Sequence, residues 1–504
     1  MSATQLSAVA VVLVSLVTLA IGTWGLRVSR TTSDFFVASR TVRPGLNASA
    51  IGGEYLSAAS FLGIAGVLLV GGAEMLWYPV GWTAGYLVLL VLVAAPLRRS
   101  GAYTLPDFAE ARLASRAVRS ACSLLVVAIA WLYLLPQFEG AGITLAAAIG
   151  APEWVGPLVV GAVVLANVSS GGMRSITFVQ AFQYWFKLTA ILFPAVVLLV
   201  VWWGDGRPGP ASAMSDGWST PVADGGGIGL YTTYSLILAL FLGTMGLPHV
   251  VVRFYTNPDG RGARRTTVVV LGLLGLFYLW PPLYAGLGRV YGERILAEGR
   301  SNVLVLALPR AMIEGLPGEL LTALVTAGAF AAFLSTSSGL AIAISGVITQ
   351  DVTGRMVGER RRGGVTAFRL AAVVAVAVPL AAALVLENVG VAESVGLAFA
   401  VAASTFCPLL VLGIWWRGLT TPGALAGLAA GGAGAGGAAL LAIAGVDADG
   451  WAGALLDQPA AWSVPLAFLT MAAVSRLTAD RVPAHARRFL VRLHTPESLE
   501  LDLT

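Results

Sequence analysis

The sequence predicts an all-α polytopic membrane protein, and three observations carry that prediction. Of 504 residues, 57% are hydrophobic and only 11% are charged, with a mean hydropathy of +0.82. A soluble chain would carry about 25% charge. Apolar runs of about 20 residues, each enough to cross a bilayer, recur along the whole length. The 60 glycines agree, because small residues let membrane helices approach closely. Thirteen spans are read at 6–26, 47–71, 76–97, 119–149, 154–172, 176–203, 229–252, 265–290, 317–349, 366–386, 389–415, 421–445 and 461–478. The fourth is long, and Pro136 should bend it.

Taken in order, span 6–26 is not a secretory signal. No Lys or Arg precedes its apolar run, while Arg27 and Arg30 follow it, which is the wrong polarity. The loops agree with an N-terminus outside and a C-terminus inside. On that topology the inside loops are 27–46, 98–118, 173–175, 253–264, 350–365, 416–420 and the tail from 479. With the adjoining helix ends they hold 25 of the 31 basic residues. Outside loops hold Arg207, Arg289, Arg294, Arg300 and Arg310, and Lys187 lies within a span. This is the positive-inside bias of a multi-pass protein of the cell membrane. The net charge of +5 sorts by loop and does not point to nucleic acid. Cys122 and Cys407 sit in or beside apolar segments without metal-ligand spacing, so packing is their expected role. The tail 479–504 mixes basic and acidic residues and reads as a short amphipathic helix or a disordered end. No loop is long enough for a separate soluble domain.

Two spans cannot stay regular helices. In Gly243-Thr244-Met245-Gly246-Leu247-Pro248-His249, Pro248 removes a backbone donor and clashes with the preceding turn, and Gly243 and Gly246 loosen it. In Gly52-Gly53-Glu54-Tyr55-Leu56-Ser57, paired glycines, an acid and hydroxyls interrupt an otherwise apolar span. Lipid does not tolerate unpaired backbone groups, so such breaks must face protein or a wet cavity. Five spans separate the two, an odd number, so the broken helices run in opposite directions. That is the pattern of a secondary transporter built from inverted repeats, with its solute beside the breaks. A third cluster, Ser335-Thr336-Ser337-Ser338, places four hydroxyls in mid-span. With freed backbone carbonyls they suit a weakly bound hard cation such as Na⁺; hydroxyls bonding back to their own helix turn are the competing reading. Glu54, Glu139, Lys187, His249 and Glu393 are the intramembrane ionisable groups, and such groups mark functional sites by default.

These residues resemble the sodium:solute symporter family, most closely its cation/acetate (monocarboxylate) permease branch. The resemblance runs from about Ser33 to Arg417. It is carried by Ser33-Asp34-Phe35-Phe36-Val37-Ala38, by Tyr55-Leu56-Ser57-Ala58-Ala59-Ser60-Phe61-Leu62-Gly63, by Gly101-Ala102-Tyr103-Thr104-Leu105-Pro106-Asp107-Phe108, and by Gly246-Leu247-Pro248-His249 with Arg253-Phe254. The last string is also similar to the proline symporter branch. The resemblance implies a leucine-transporter-type fold of two inverted five-helix repeats, 47–203 and 229–415. An N-terminal helix and loop (1–46), two peripheral helices (421–478) and a cytoplasmic tail (479–504) would flank them.

The resemblance also implies one Na⁺ held by the carbonyls of Gly53, Leu56 and Ala332 and the hydroxyls of Ser335 and Thr336. The Ser-Thr pair is that of sodium-coupled members and favours Na⁺ over H⁺. A second sodium site, which some members have, is disfavoured because its aspartate is matched by Gln180 and one of its hydroxyls by Gly339. The substrate-facing residues are expected to be Glu54, Tyr55, Ser57, Tyr78, Trp82, Phe138, Leu247, Pro248 and His249, with backbone N–H groups and positive helix ends receiving a carboxylate. Glu54 beside an anion would be protonated, paired with the cation or turned away. The expected function is sodium-coupled uptake of a small monocarboxylate such as acetate, propionate or pyruvate by alternating access, by a monomer in membrane lipid. The alternative is a sodium/amino-acid (proline-like) symporter of the same fold. Leu247 counts mildly against proline, since it stands where that branch has glutamine. No nucleophile, base or metal cluster has the spacing of an enzyme.

Overall fold

A computed structural model describes residues 3–26, 40–210, 218–222, 226–353, 364–385, 390–446, 448–497 and 499. The stretch Ser33–Ala38 lies outside them. Every described element is helical. Among the described residues, all thirteen expected spans are found as helices, and eleven stretches are long and apolar enough to cross a membrane. The difference has two causes. Spans 47–71 and 76–97 run together from Ala59 to Arg99 through the tight turn Gly72–Leu76, and the helix Val155–Ser170 is short.

Helix α1 is Ala3–Leu26. The second span is split into α2 (Pro44–Tyr55) and α3 (Ile64–Gly71), with a wide turn at Ala59–Gly63 between them. Then come α4 (Trp77–Val88), α5 (Ala94–Arg99), α6 (Leu105–Leu113) and α7 (Arg116–Ile149). The stretch α8 (Val155–Gly204) is two helices joined by a kink at Gly172, whose φ of 60° suits a residue without Cβ. The second broken span is α9 (Gly227–Gly243) and α10 (Pro248–Val252). It is followed by α11 (Gly260–Tyr278), α12 (Pro281–Tyr291), α13 (Glu293–Ala297), α14 (Leu304–Met312) and α15 (Leu316–Ile348). The chain ends with α16 (Gly364–Ala383), α17 (Val391–Trp415), α18 (Thr421–Ile443), α19 (Gly450–Asp457), α20 (Ala460–Leu477) and α21 (Ala486–His494).

Helix α15 has no polar face and is almost wholly buried from Leu321 to Val347. It packs against α1, α7 and α8, while α17 packs against α7, α9 and α18. Around this core the loops are locally determined. Thr104 and Asp107 form a reciprocal cap on α6, with Asp107 N–H donating to Thr104 Oγ1 at 3.2 Å and Thr104 N–H to Asp107 Oδ2 at 3.1 Å. Buried Arg112 on α6 donates to the carbonyls of Gly413 and Trp416 at the end of α17, at 2.9 and 3.0 Å. Burial pulls its pKa down to about 10, so it remains charged at neutral pH. The tail forms the amphipathic helix α21, whose Phe489 lies 6.1 Å from the Phe108 ring of α6.

Close helix approach is what positions the first break. A Cβ on Gly53 would strike the Gln180 carbonyl of α8, whereas one on Gly45, in the same helix, would meet nothing within 4 Å. Gly53→Ala is therefore expected to destabilise the protein by about 1–3 kcal/mol, read as a lower Tm in detergent, with Gly45→Ala near wild type.

Candidate functional site

The first break is a solved problem of backbone bonding. Helix α2 ends at Tyr55, and Leu56 leaves helical geometry at ψ 88°. Leu56 N–H still reaches Gly52 O at 3.1 Å, and Phe61 N–H reaches Ser57 O at 3.0 Å. Ala58 N–H donates to the Gln137 side chain at 2.9 Å. Three carbonyls are left over in the buried interior, where an unpaired polar group costs several kcal/mol. Glu54 O accepts from Thr336 Oγ1 at 2.6 Å. Gly53 O and Leu56 O accept from the buried Lys187 Nζ, at 2.5 and 2.6 Å.

The second break has the same logic. After α9 the chain makes a tight turn at Thr244–Gly246. Leu247 is extended (φ −72°, ψ 119°), and Pro248 opens α10 at the position where a missing N–H is harmless. A Cβ on Gly246 would meet the Ala402 carbonyl of α17, so this glycine also sets helix spacing. The two breaks face each other. Tyr55 OH and Thr244 Oγ1 are 2.9 Å apart, and Asn47 Nδ2 donates to Arg253 O at 3.1 Å.

An ion pair completes the link. Arg253 Nε donates to Glu54 Oε2 at 2.6 Å, with both side chains buried. Its guanidinium also donates to Thr177 Oγ1 at 3.0 Å and to the Gln180 side chain. One expectation is corrected here. Arg253 does not belong to an inside loop, because it is buried at the C-terminal end of α10, within the apolar stretch Gly227–Thr256. Glu54 Oε2 is held by Arg253, while its Oε1 is buried without a hydrogen bond among the described residues and lies over Gly339, where a Cβ would strike it. Gly339, matched to a hydroxyl of a second sodium site, is thus the space for Glu54.

The five residues expected to ligate Na⁺ do come together. Ser335 Oγ donates to Ala332 O at 3.0 Å and accepts from Lys187 Nζ at 2.9 Å, while Thr336 is bonded to Glu54 O. They do not converge on a place for an ion. Gly53 O, Leu56 O and Ser335 Oγ are all bonded to Lys187, and an ammonium has three protons for those three acceptors. Three of the five expected ligands are met by this side chain, which stands where the ion was expected and leaves no open position for sodium among them. Gln180 Nε2 holds the same turn through Ser335 O at 2.9 Å.

The other expected substrate residues gather around a ring cluster. Phe399 of α17 lies 5.7 Å from Trp82, 6.3 Å from Tyr55 and 6.0 Å from Tyr133. Tyr78 lies 5.5 Å from Trp82, and Tyr133 lies 5.2 Å from His249. Ser57, Leu247 and Pro248 are buried at the breaks. Phe138 is buried on α7, without a ring contact to the cluster among the described residues. Trp82 Nε1 and both ring nitrogens of His249 are buried without a hydrogen bond among the described residues. Such groups are ready partners for a small polar solute. The sequence reading missed Tyr133, Thr244, Thr177 and Phe399. It could have found Arg253, which follows His249 by one helical turn, and Gln137, a lone amide beside Pro136 and Glu139. Glu139 is buried on α7 with neither carboxylate oxygen bonded among the described residues, and Glu393 sits in the first turn of α17.

A family model described as the sodium:solute symporter family matches residues 35–431. A Bacillus subtilis protein described as the uncharacterized symporter YwcA is 32% identical over 420 residues, 79% of each chain. A Corynebacterium glutamicum protein described as a monocarboxylic acid transporter is 33% identical over 486 residues, covering 88% of this chain and 87% of its own. Among solved structures, a Na⁺-coupled sialic acid symporter in a substrate-bound outward-open state superposes with a TM-score of 0.69 at 15% identity, covering 93% of this chain and 98% of its own. A manganese transporter of Eremococcus coleocola superposes at 0.51, with 15% identity over 91% of this chain and 97% of its own. The leucine-transporter-type helical fold expected from sequence is the fold observed.

Removing one member of the buried ion pair should be costly, since it strands a charge. Arg253→Ala is expected to lose about 3–5 kcal/mol. The double variant Glu54→Gln/Arg253→Gln should recover part of that loss, and a double-mutant cycle on Tm and folded yield checks it.

Proposed function

The chain belongs to the sodium:solute symporter family, and from that premise we propose that it carries a small monocarboxylate such as acetate, propionate or pyruvate across the cell membrane. The protein is a transporter and not an enzyme, and sodium is the coupling ion that its family implies. The observation that carries the substrate reading is the ring cluster between the two facing breaks. It holds the Trp82 N–H and the His249 imidazole, both without a hydrogen bond among the described residues. A small anion with a short apolar tail suits that set. Its oxygens take the indole and imidazole donors, and the rings of Tyr55, Tyr133 and Phe399 take the tail. The name of the Corynebacterium glutamicum relative supports the same solute class.

In this reading α2–α3 and α9–α10 form one rigid core, tied by Tyr55–Thr244 and Glu54–Arg253, and alternating access rocks that core against the remaining helices. The N-terminus lies outside and the C-terminus inside on this reading, which the distribution of basic residues supports. A monomer suffices for this cycle. The repeats 47–203 and 229–415 are the units of the rocking pair. No step of the cycle is routed through sodium in the cage that Lys187 fills.

Radiolabelled uptake into proteoliposomes tests this reading, with acetate, propionate, pyruvate and proline offered under sodium and proton gradients. Uptake of the monocarboxylates with no competition from proline is expected. Proline uptake that acetate does not inhibit would replace this reading with the amino-acid one. Trp82→Phe keeps the ring and removes the donor, so it should raise KM several-fold (about 1–2 kcal/mol for one hydrogen bond) with a smaller effect on maximal rate.

A further inference from the structure

We propose that Lys187 is a built-in cation, its ammonium replacing a dissociable sodium ion in the oxygen cage of Gly53, Leu56 and Ser335. On this reading the cage itself carries no ion across the membrane. The cage has the chemistry of a hard-cation site: two backbone carbonyls freed by a helix break and one hydroxyl on the facing helix. Its centre is occupied by Nζ, at 2.5, 2.6 and 2.9 Å from those oxygens.

Three facts make the replacement complete. Ser335 Oγ spends its proton on Ala332 O, so it can only accept from Lys187. The two carbonyls can only accept. The geometry therefore offers one nitrogen three acceptors, the arrangement that an ammonium satisfies in full. The side chain is fully buried on α8 and arrives from outside the two elements that build the cage, α2 and α15. It thus bridges three helices, as a bound ion would. Glu54 is the acid of this region and is paired with Arg253, so Lys187 already leaves the region one positive charge in excess, and a sodium ion would add a second. A sodium ion added to the cage would face the ammonium at contact distance and the guanidinium behind it, in a low-dielectric interior where like charges repel strongly.

The inference rests on the cage and not on which solute is carried, and its test needs no transport. Binding of radioactive ²²Na⁺ to purified protein in detergent is measured for wild type, Ser335→Ala, Lys187→Ala and Lys187→Ala/Ser335→Ala, with Tm read in sodium against choline. In wild type, any sodium binding should be unchanged by Ser335→Ala, within a factor of about two. In Lys187→Ala, sodium should bind at least tenfold more tightly than in wild type and raise Tm, and adding Ser335→Ala should erase both gains. Wild-type binding that falls tenfold or more with Ser335→Ala would overturn the proposal. A folded Lys187→Ala protein with no gain in sodium sensitivity would overturn it too, because a vacated cage of these oxygens should admit the ion. If Lys187→Ala does not fold, the comparison of wild type with Ser335→Ala decides alone.

Discussion

The structure depends on one constraint, which is that backbone groups released by a helix break inside a membrane must find partners in the protein. Two breaks are made, at Leu56 and at Leu247, and much of the neighbouring sequence exists to bond what they release. Gln137 reaches across from α7 to one amide, Thr336 from α15 to one carbonyl, and Lys187 from α8 to two more. The helices that supply these groups are therefore held in fixed relation to the breaks. The same bonds that satisfy the backbone assemble the site.

Burying charge for this purpose has its own conditions. Glu54 and Arg253 lie at the centre of the bundle, and each is tolerated only because the other is there. Space for them comes from omitted side chains: Gly339 leaves room for the carboxylate, and Gly53 lets α2 close on α8. Arg253 adds a further constraint, since its bonds to Thr177 and Gln180 anchor α8 beside the second break. Polar network and helix spacing are thus one arrangement, and a change in either is felt in the other.

Much of this was legible from residue order alone. Hydropathy located every span, because about 20 apolar residues have few alternatives to crossing. Pro248 and Gly52-Gly53 located both breaks, because their backbone chemistry is local. The resemblance also named three residues that the structure brings together, Gly53, Leu56 and Ser335, around Lys187 Nζ. What filled the cage was not legible. A lysine in an apolar segment says that its charge must be paired, and nothing of where a four-carbon stem delivers it 131 residues away in sequence. Arg253 was misplaced for a related reason: charge counting sorts arginines by loop, and a residue one turn beyond a broken helix looks like a loop residue. Phe399 and Tyr133 were invisible because an aromatic ring in a membrane helix carries no sign of whether it faces lipid or a neighbour.

Lys187 also changes what holds the first break together over time. A free ion occupies its ligands for only as long as its bulk concentration sustains it, and each release leaves the carbonyls bare. A cation on a side chain is present at a standing effective concentration that no dilution of the bath can lower. The interruption in α2 is therefore stabilised in fresh water and in brine alike, and the lost translational freedom of the ligand was settled once, when the chain folded.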